Sequence, residues 1–361
     1  MQTPILKKVG KRTLQIVLPV AILLWIIYAM RDDWHQLATY KFQWNPWLVA
    51  LAFIGFLLQE LSYGLIWRAV LARLGSHLDL RTCLRIYLAS EFVRYIPGNV
   101  WHVLTRILWV GKYGVSRPIA FASMTVELIT KLAAGALIFA VSLLFWSDIG
   151  TLGKLLNGTP IFALLGVGTM FALLVGLHPR VLNGLMNGAL RLLKREPVVL
   201  TLRYRDILLI TLAWCASWFV AGCAFFVLLF ALWPATPLIA LPLCIGIYAL
   251  VWDIGFVSFI TPSGLGIREG AMVGLFALVF PLPLGLAAIL AVVSRVVSTL
   301  AELICVGLAY LSGGQQIRAV QEEQLALPET SRDEMATSAT DEQLSDAARQ
   351  IGVVKGGAVG D

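Results

Sequence analysis

The chain has 361 residues, of which 59% are hydrophobic and 14% charged, with a net charge of +7 and a mean hydropathy of +0.82. That is more apolar side chain than a soluble core of this length can hide, so a soluble globular fold is excluded and an all-α polytopic membrane protein is expected. The positive charge does not indicate nucleic acid, because the basic residues cluster at the ends of apolar runs, where they suit anionic lipid head groups.

A helix needs about 20 apolar residues to cross the hydrocarbon. By that measure full spans are expected at 13–30, 46–70, 118–146, 158–177, 206–232, 237–260 and 284–312. The first follows Lys7, Lys8, Lys11 and Arg12. Its apolar run is longer than a signal core and no small-residue cleavage site follows, so it reads as an uncleaved anchor with the N-terminus in the cytoplasm. By the same rule the loop 178–205, with Arg180, Arg191, Lys194, Arg195, Arg203 and Arg205, is cytoplasmic.

Two apolar stretches break the template: 82–111, interrupted by Pro97-Gly98, and 261–281, which opens with TPSGLG. The two cytoplasmic anchors agree if 82–111 enters and leaves on one face, and disagree if it crosses as one broken helix; the re-entrant hairpin is preferred. About seven to eight transmembrane helices plus two re-entrant or broken segments are therefore expected. Seven full spans leave the C-terminus outside, whereas an eighth crossing within 261–281 returns it to the cytoplasm, and the sequence leaves that choice open.

Charge divides the chain near residue 312. Residues 313–361 hold four basic and nine acidic residues, about −5, which leaves about +12 on the membrane domain 1–312. The tail is rich in Gln, Ser, Thr and Ala without sustained periodicity, so it is expected to be flexible and to carry no catalysis.

Cys83, Cys215, Cys223, Cys244 and Cys305 fall in apolar segments without CxxC spacing, so neither zinc nor disulfides are indicated. His35, His77, His102 and His178 are scattered singly. No phosphate-binding Gly-Lys-Ser/Thr loop, dinucleotide fingerprint or HExxH occurs. No catalytic residue, metal site or cofactor is expected on these grounds.

What remains is charge inside the membrane. Glu60, Glu91, Arg94, Arg106, Glu127, Lys131, Asp253, Arg268, Glu269, Arg295 and Glu302 lie within or at the edges of apolar segments. Each costs about 2.5–3.5 kcal/mol at mid-span on insertion scales, too much to repeat so often without partners or a wet cavity. Glu91 and Arg94 stand three apart and Glu127 and Lys131 four apart, so each pair shares a helical face. Arg295 and Glu302 share a face with Ser298 between them, and that face is expected to look into the bundle. For any single pair the plain alternative is an ion pair that locks two helices together.

The breaks share a pattern. FVRYIPG at 92–98 is similar to FVSFITPSG at 256–264, and the shift that carries Pro97 onto Pro262 also carries Pro118 onto Pro283. An internal duplication is expected. Paired broken helices in two halves mark transport sites, because backbone unwound inside a membrane is tolerated only where protein or water satisfies it. A helix that starts after Pro262-Ser263-Gly264-Leu265-Gly266 points its N–H groups and positive dipole end at an anion, with Arg268 one turn in.

RYIPGNVW at 94–101, VELITKLAAG at 126–135 and TPSGLGIREGAMV at 261–273 resemble motifs of the transmembrane region of lysylphosphatidylglycerol synthases and its stand-alone, flippase-like relatives. The third is similar to that family's Pro-Gly-Gly-Leu-Gly-x-Arg-Glu signature, with Ser263 where glycine is usual, and the resemblance extends over most of residues 10–312. It implies a fold with re-entrant helices and a lipid-handling role, the movement of a head group across the bilayer. No soluble acyltransferase-like domain follows the membrane part and no glycosyltransferase domain precedes it, so lysine transfer to phosphatidylglycerol is not expected to be this chain's own reaction.

Taken together, a lipid transporter of the cytoplasmic membrane is expected, which moves an anionic or aminoacylated phospholipid or a polyprenyl-phosphate lipid. Arg94, Arg106, Lys131, Arg268 and Arg295 are the candidates to neutralise its phosphate. Glu91, Glu127, Glu269 and Glu302 hold those cations or meet an ammonium. Pro97, Gly98, Pro262, Ser263, Gly264 and Gly266 supply the helix breaks and the backbone anion site. The charges fit an ion or small-metabolite carrier nearly as well. The expected partners are membrane phospholipids, with a separate lipid-modifying enzyme or a second copy of the chain beside them, and no nucleic acid. Two other classes stay open: a membrane transferase that uses a lipid-phosphate donor, with RDDWHQ at 31–36 as its best feature, and a non-catalytic partner of another membrane enzyme that makes contact through the acidic tail.

Overall fold

The computed structural model describes residues 45–95, 101–146, 161–181, 183–184, 202–258, 262–280 and 282–313, helices joined by turns and short links. The predicted span at 13–30, the RDDWHQ stretch, Pro97-Gly98 and nearly all of the acidic tail lie outside these residues.

The elements in chain order are α1 (Pro46–Arg73), α2 (Leu80–Glu91), a 3-10 turn (Phe92–Tyr95, the first tip), α3 (Trp101–Gly111), α4 (Arg117–Leu143), α5 (Ile161–Gly176), α6 (Tyr204–Leu232), α7 (Leu241–Val257, entered through a 3-10 turn at Leu238–Ala240), a second 3-10 turn (Pro262–Gly264, the second tip), α8 (Ile267–Val279) and α9 (Leu284–Gly313). Five of these, α1, α4, α6, α7 with its leading turn, and α9, are long and apolar enough to cross a membrane. They fall on predicted spans, and the shorter α5 falls on the one at 158–177.

Local chemistry sets the starts. Asn45 caps α1 by accepting from the backbone N–H groups of Trp47 and Leu48, with Pro46 at the first position, where its missing N–H costs nothing. Asp79 caps α2 by accepting from Thr82 N at 2.9 Å. On α1, Leu51, Ile54, Leu58, Leu61 and Leu65 form an exposed apolar stripe suited to lipid, while Phe56, Gln59, Glu60, Tyr63 and Trp67 face inward.

Both broken segments fold back. Arg106 of α3 hydrogen-bonds Ser90 at the end of α2 at 2.9 Å, whereas a continuous helix would hold the two about 24 Å apart. With 12 and 11 residues, α2 and α3 are roughly 18 and 16 Å long, about half the hydrocarbon thickness. The second break does the same: Arg268 of α8 lies on Gly255 of α7.

Helices α1 and α6 run antiparallel. Gly55 meets Ala224, the Ser62 and Ser217 hydroxyls are 2.7 Å apart, Tyr63 meets Trp214 with ring centroids at 5.3 Å, and Arg73 pairs with Asp206 at 3.3 Å. One number rises along the series as the other falls. The hairpin α2–α3 follows the C-terminal end of α1 and α7–α8 follows that of α6, so the hairpins enter from opposite ends. Their tips pack against each other.

The packing maps onto itself when α1, α2, α3 and α4 are exchanged for α6, α7, α8 and α9. Thus α1 packs on α2 as α6 on α7, α3 on α4 as α8 on α9, and α2 on α9 as α7 on α4. With α1 and α6 antiparallel about the exchange axis, this is an inverted repeat, the arrangement of many secondary transporters.

Candidate functional site

At the first hairpin the sequence candidates form a closed ionic lock. Arg106 is 1% exposed. Its Nη2 donates to Glu91 Oε1, its Nη1 to Glu127 Oε2 at 2.8 Å and its Nε to Ser90 Oγ at 2.9 Å. Glu127 Oε1 accepts from the Tyr87 hydroxyl at 2.7 Å. The guanidinium also lies 3.8 Å from the Tyr87 ring centroid. Arg106 thus draws its partners from α2 and α4, and Glu127, which shares a face with Lys131, turns its carboxylate to Arg106 and Tyr87. With its nitrogens on Glu91, Glu127 and Ser90, Arg106 ties α2, α3 and α4 together, and in this conformation it faces protein and not a ligand. The backbone of Arg94 belongs to the first tip, but its side chain lies outside the described residues, as do Pro97 and Gly98.

Lys131 sits elsewhere. Its ammonium lies 3.6 Å from the Tyr63 ring centroid, 4.3 Å from Trp252 and 5.0 Å from Trp214. Three helices, α1, α6 and α7, supply this aromatic cage.

The second hairpin assembles Arg268, Glu269 and Arg295. Ser263 (φ 52°), Gly264 (φ 68°) and Gly266 (φ 81°) all occupy positive φ, which turns the chain sharply from the tip into α8. Glu269 Oε2 accepts from Gly266 N at 2.7 Å, so a carboxylate of the protein caps the helix start that the sequence offers to an anion. Its other oxygen stands 3.9 Å from Arg295 Nε. Arg295 Nη2 donates to the Ser263 carbonyl at 3.1 Å and to Ser263 Oγ at 3.2 Å.

That last contact gives the Ser263 hydroxyl a partner at the turn. A left-handed non-glycine residue costs about 1–2 kcal/mol, and the hydroxyl offsets part of this by binding Arg295. Ser263→Gly is thus expected to leave thermal stability in detergent within about 1 kcal/mol of wild type. Ser263→Val is expected to destabilise by roughly 2 kcal/mol or more, because a β-branched residue resists this conformation and brings no hydroxyl. Thermal unfolding followed by circular dichroism checks both.

Between α7, α8 and α9 lies a small pocket with room for about one water molecule, lined by Tyr248, Arg268, Glu269, Met272, Ser294 and Arg295 among others. In this conformation the pocket is too tight for a head group, and its two arginines are held by Glu269, Ser263 and the packing against Gly255. Glu302 is buried further along α9.

Sequence reasoning missed Tyr248, Ser294 and above all Gly255. A Cβ on Gly255 would run into the Cγ and Cδ of Arg268, and a Cβ on Gly264 would stand 2.7 Å from the Gly255 Cα. Gly255 is the surface on which both the second tip and the arginine stem rest. One glycine inside an apolar helix gives no sequence signal for that.

The fold and site define a multi-pass α-helical membrane protein built from two inverted halves, with broken hairpins that meet inside the bundle. Residues 16–305 match the family described as Lysylphosphatidylglycerol synthase TM region, and the chain belongs to that family, as the motifs at 94–101, 126–135 and 261–273 imply. No match was found among curated proteins.

Proposed function

We propose that this protein carries the phosphorylated head group of a lipid, an anionic or aminoacylated phospholipid or a polyprenyl-phosphate, across the cytoplasmic membrane, and that it does so as a transporter and not as an enzyme. The observation that carries the reading is the convergence of Arg268 and Arg295, from two different helices, on one small pocket beside the second tip. Guanidinium groups match phosphate with paired donors. Glu269 balances their charge when the pocket is empty, and Tyr248, Ser294 and Ser298 add hydroxyls. Acyl chains would stay in lipid while the head group enters the pocket as the hairpins move apart and widen it. Inverted hairpins that meet at their tips supply the element that alternating access rocks, which favours transport.

Orientation follows from charge. The antiparallel pairing and the returning first hairpin place Arg73, Arg81, Arg85, Lys112, Arg117, Arg203 and Arg205 at one end of the bundle. By the positive-inside rule that end faces the cytoplasm.

The test is lipid movement in liposomes that carry head-group-labelled phosphatidylglycerol, aminoacyl-phosphatidylglycerol or polyprenyl-phosphate. Loss of a charge-assisted contact is worth about 1.5–3 kcal/mol, so Arg268→Ala and Arg295→Ala are each expected to slow movement by about tenfold or more. Unchanged movement of every lipid class in both folded variants would overturn the reading.

A further inference from the structure

Asp253 of α7 belongs to neither the ionic lock nor the pocket. It is 8% exposed, and its Oδ1 makes no hydrogen bond within the described residues. The carboxylate lies directly on the Cα of Gly135 in α4, where any side chain would collide with it. One turn back on the same face of α4 is Lys131, about 6 Å away along the helix, and its ammonium reaches the ring of Trp252, the residue before Asp253. Around the two stand Tyr63 from α1 and Trp214, Cys215 and Trp218 from α6. Trp252 precedes Asp253 on α7 and closes the cage. Helix α8 faces α7 with Arg268, which lies on Gly255 and Tyr248 on the pocket side.

We propose that Asp253 and Lys131 form a proton-binding site, distinct from the head-group pocket, through which a proton gradient drives transport; the second clause rests on the transport reading above. Two features favour a proton over a metal cation. A metal ion wants several oxygen ligands, and the walls here are ring faces, a thiol and a glycine. Lys131 also repels a second cation, whereas a proton added to Asp253 Oδ1 needs no ligand beyond the oxygen that receives it. The cage gives the site its reversibility. When Asp253 takes a proton and becomes neutral, the Lys131 ammonium stays held by the faces of Tyr63, Trp214 and Trp252, so the change does not strand a buried cation.

Helix α7 links this site to the pocket. Asp253 and Trp252 lie against α4 and its lysine, while Tyr248 and Gly255 of the same helix serve the pocket and carry the second tip with Arg268. Neutralising Asp253 weakens its attraction across α4 and lets α7 shift, and any such shift moves Gly255 with Gly264 and Arg268 resting on it. Buried ionisable pairs in membrane proteins are used as proton relays in this way.

Two measurements on the full-length protein in liposomes test the proposal. The first is infrared difference spectroscopy between alkaline and acidic buffer, which reads carboxylic-acid C=O formation without any lipid substrate. A band present in wild type, lost in Asp253→Asn and returned in shifted form by Asp253→Glu is expected. An identical difference spectrum in wild type and Asp253→Asn would overturn the proton site. The second is movement of head-group-labelled phosphatidylglycerol under an imposed pH gradient. Wild type is expected to accelerate along the gradient, and Asp253→Asn is expected to keep gradient-free exchange and lose that response. A gradient response that persists in Asp253→Asn would overturn the coupling. If the infrared band behaves as expected but wild type moves no lipid under any gradient, the proton site stands and the transport reading falls.

Discussion

Arg106→Met is expected to destabilise the protein by about 3–5 kcal/mol, enough to prevent its accumulation in the membrane. The hydrogen bonds alone do not account for this, since an interhelical hydrogen bond in a membrane protein averages only about 0.6 kcal/mol. The larger effect is that Glu91 and Glu127, 4% and 7% exposed, lose the cation that lies between them. Arg106→Lys is expected to rescue little, because a single ammonium cannot reach both carboxylates and Ser90 in the fixed fork that the guanidinium provides. Combining Arg106→Met with Glu91→Gln and Glu127→Gln is expected to recover most of the loss, as replacing a whole buried ionic group by neutral residues often does. Thermal unfolding in detergent reads all three variants, and a single mutant as stable as wild type would refute the lock.

Gly255→Ala is expected to slow lipid movement by about tenfold or more. Overpacking of a close contact costs typically 1–3 kcal/mol, here borne where the second tip and the Arg268 stem meet α7. The helix itself tolerates alanine better than glycine, so far-ultraviolet circular dichroism should not change. Adding Arg268→Ala removes the atoms that the new methyl meets. The double mutant is therefore expected to regain thermal stability while remaining as slow as Arg268→Ala alone, a non-additivity that identifies the contact itself as the cause. Additive loss of stability would place the damage elsewhere.

Much of the architecture could be read before any coordinates. The long spans, the two breaks and the repeat of Pro97 and Pro118 at Pro262 and Pro283 were all visible. The charge partners were not. Glu127 and Lys131 stand four apart and share a face, yet Arg106 and Tyr87 take the carboxylate and three rings from other helices surround the ammonium. On α1, apolar residues cover the lipid stripe and the packed face alike, so periodicity does not reveal which side meets the bundle. Gly55, Gly135 and Gly255 matter through what approaches them, and in the sequence they are indistinguishable from the glycines that nothing touches.

The division has one physical origin. A bilayer imposes a constraint along the chain: each crossing must be long, apolar and helical, and each break must be sheltered, so membrane class, span positions and the sites of the two breaks follow from the sequence by itself. A buried charge imposes a constraint between chain segments. Its partner is whichever group the packing brings near, and only the tertiary structure decided that Arg106 closes a lock, that Arg268 and Arg295 share a pocket and that Asp253 lies beside Lys131.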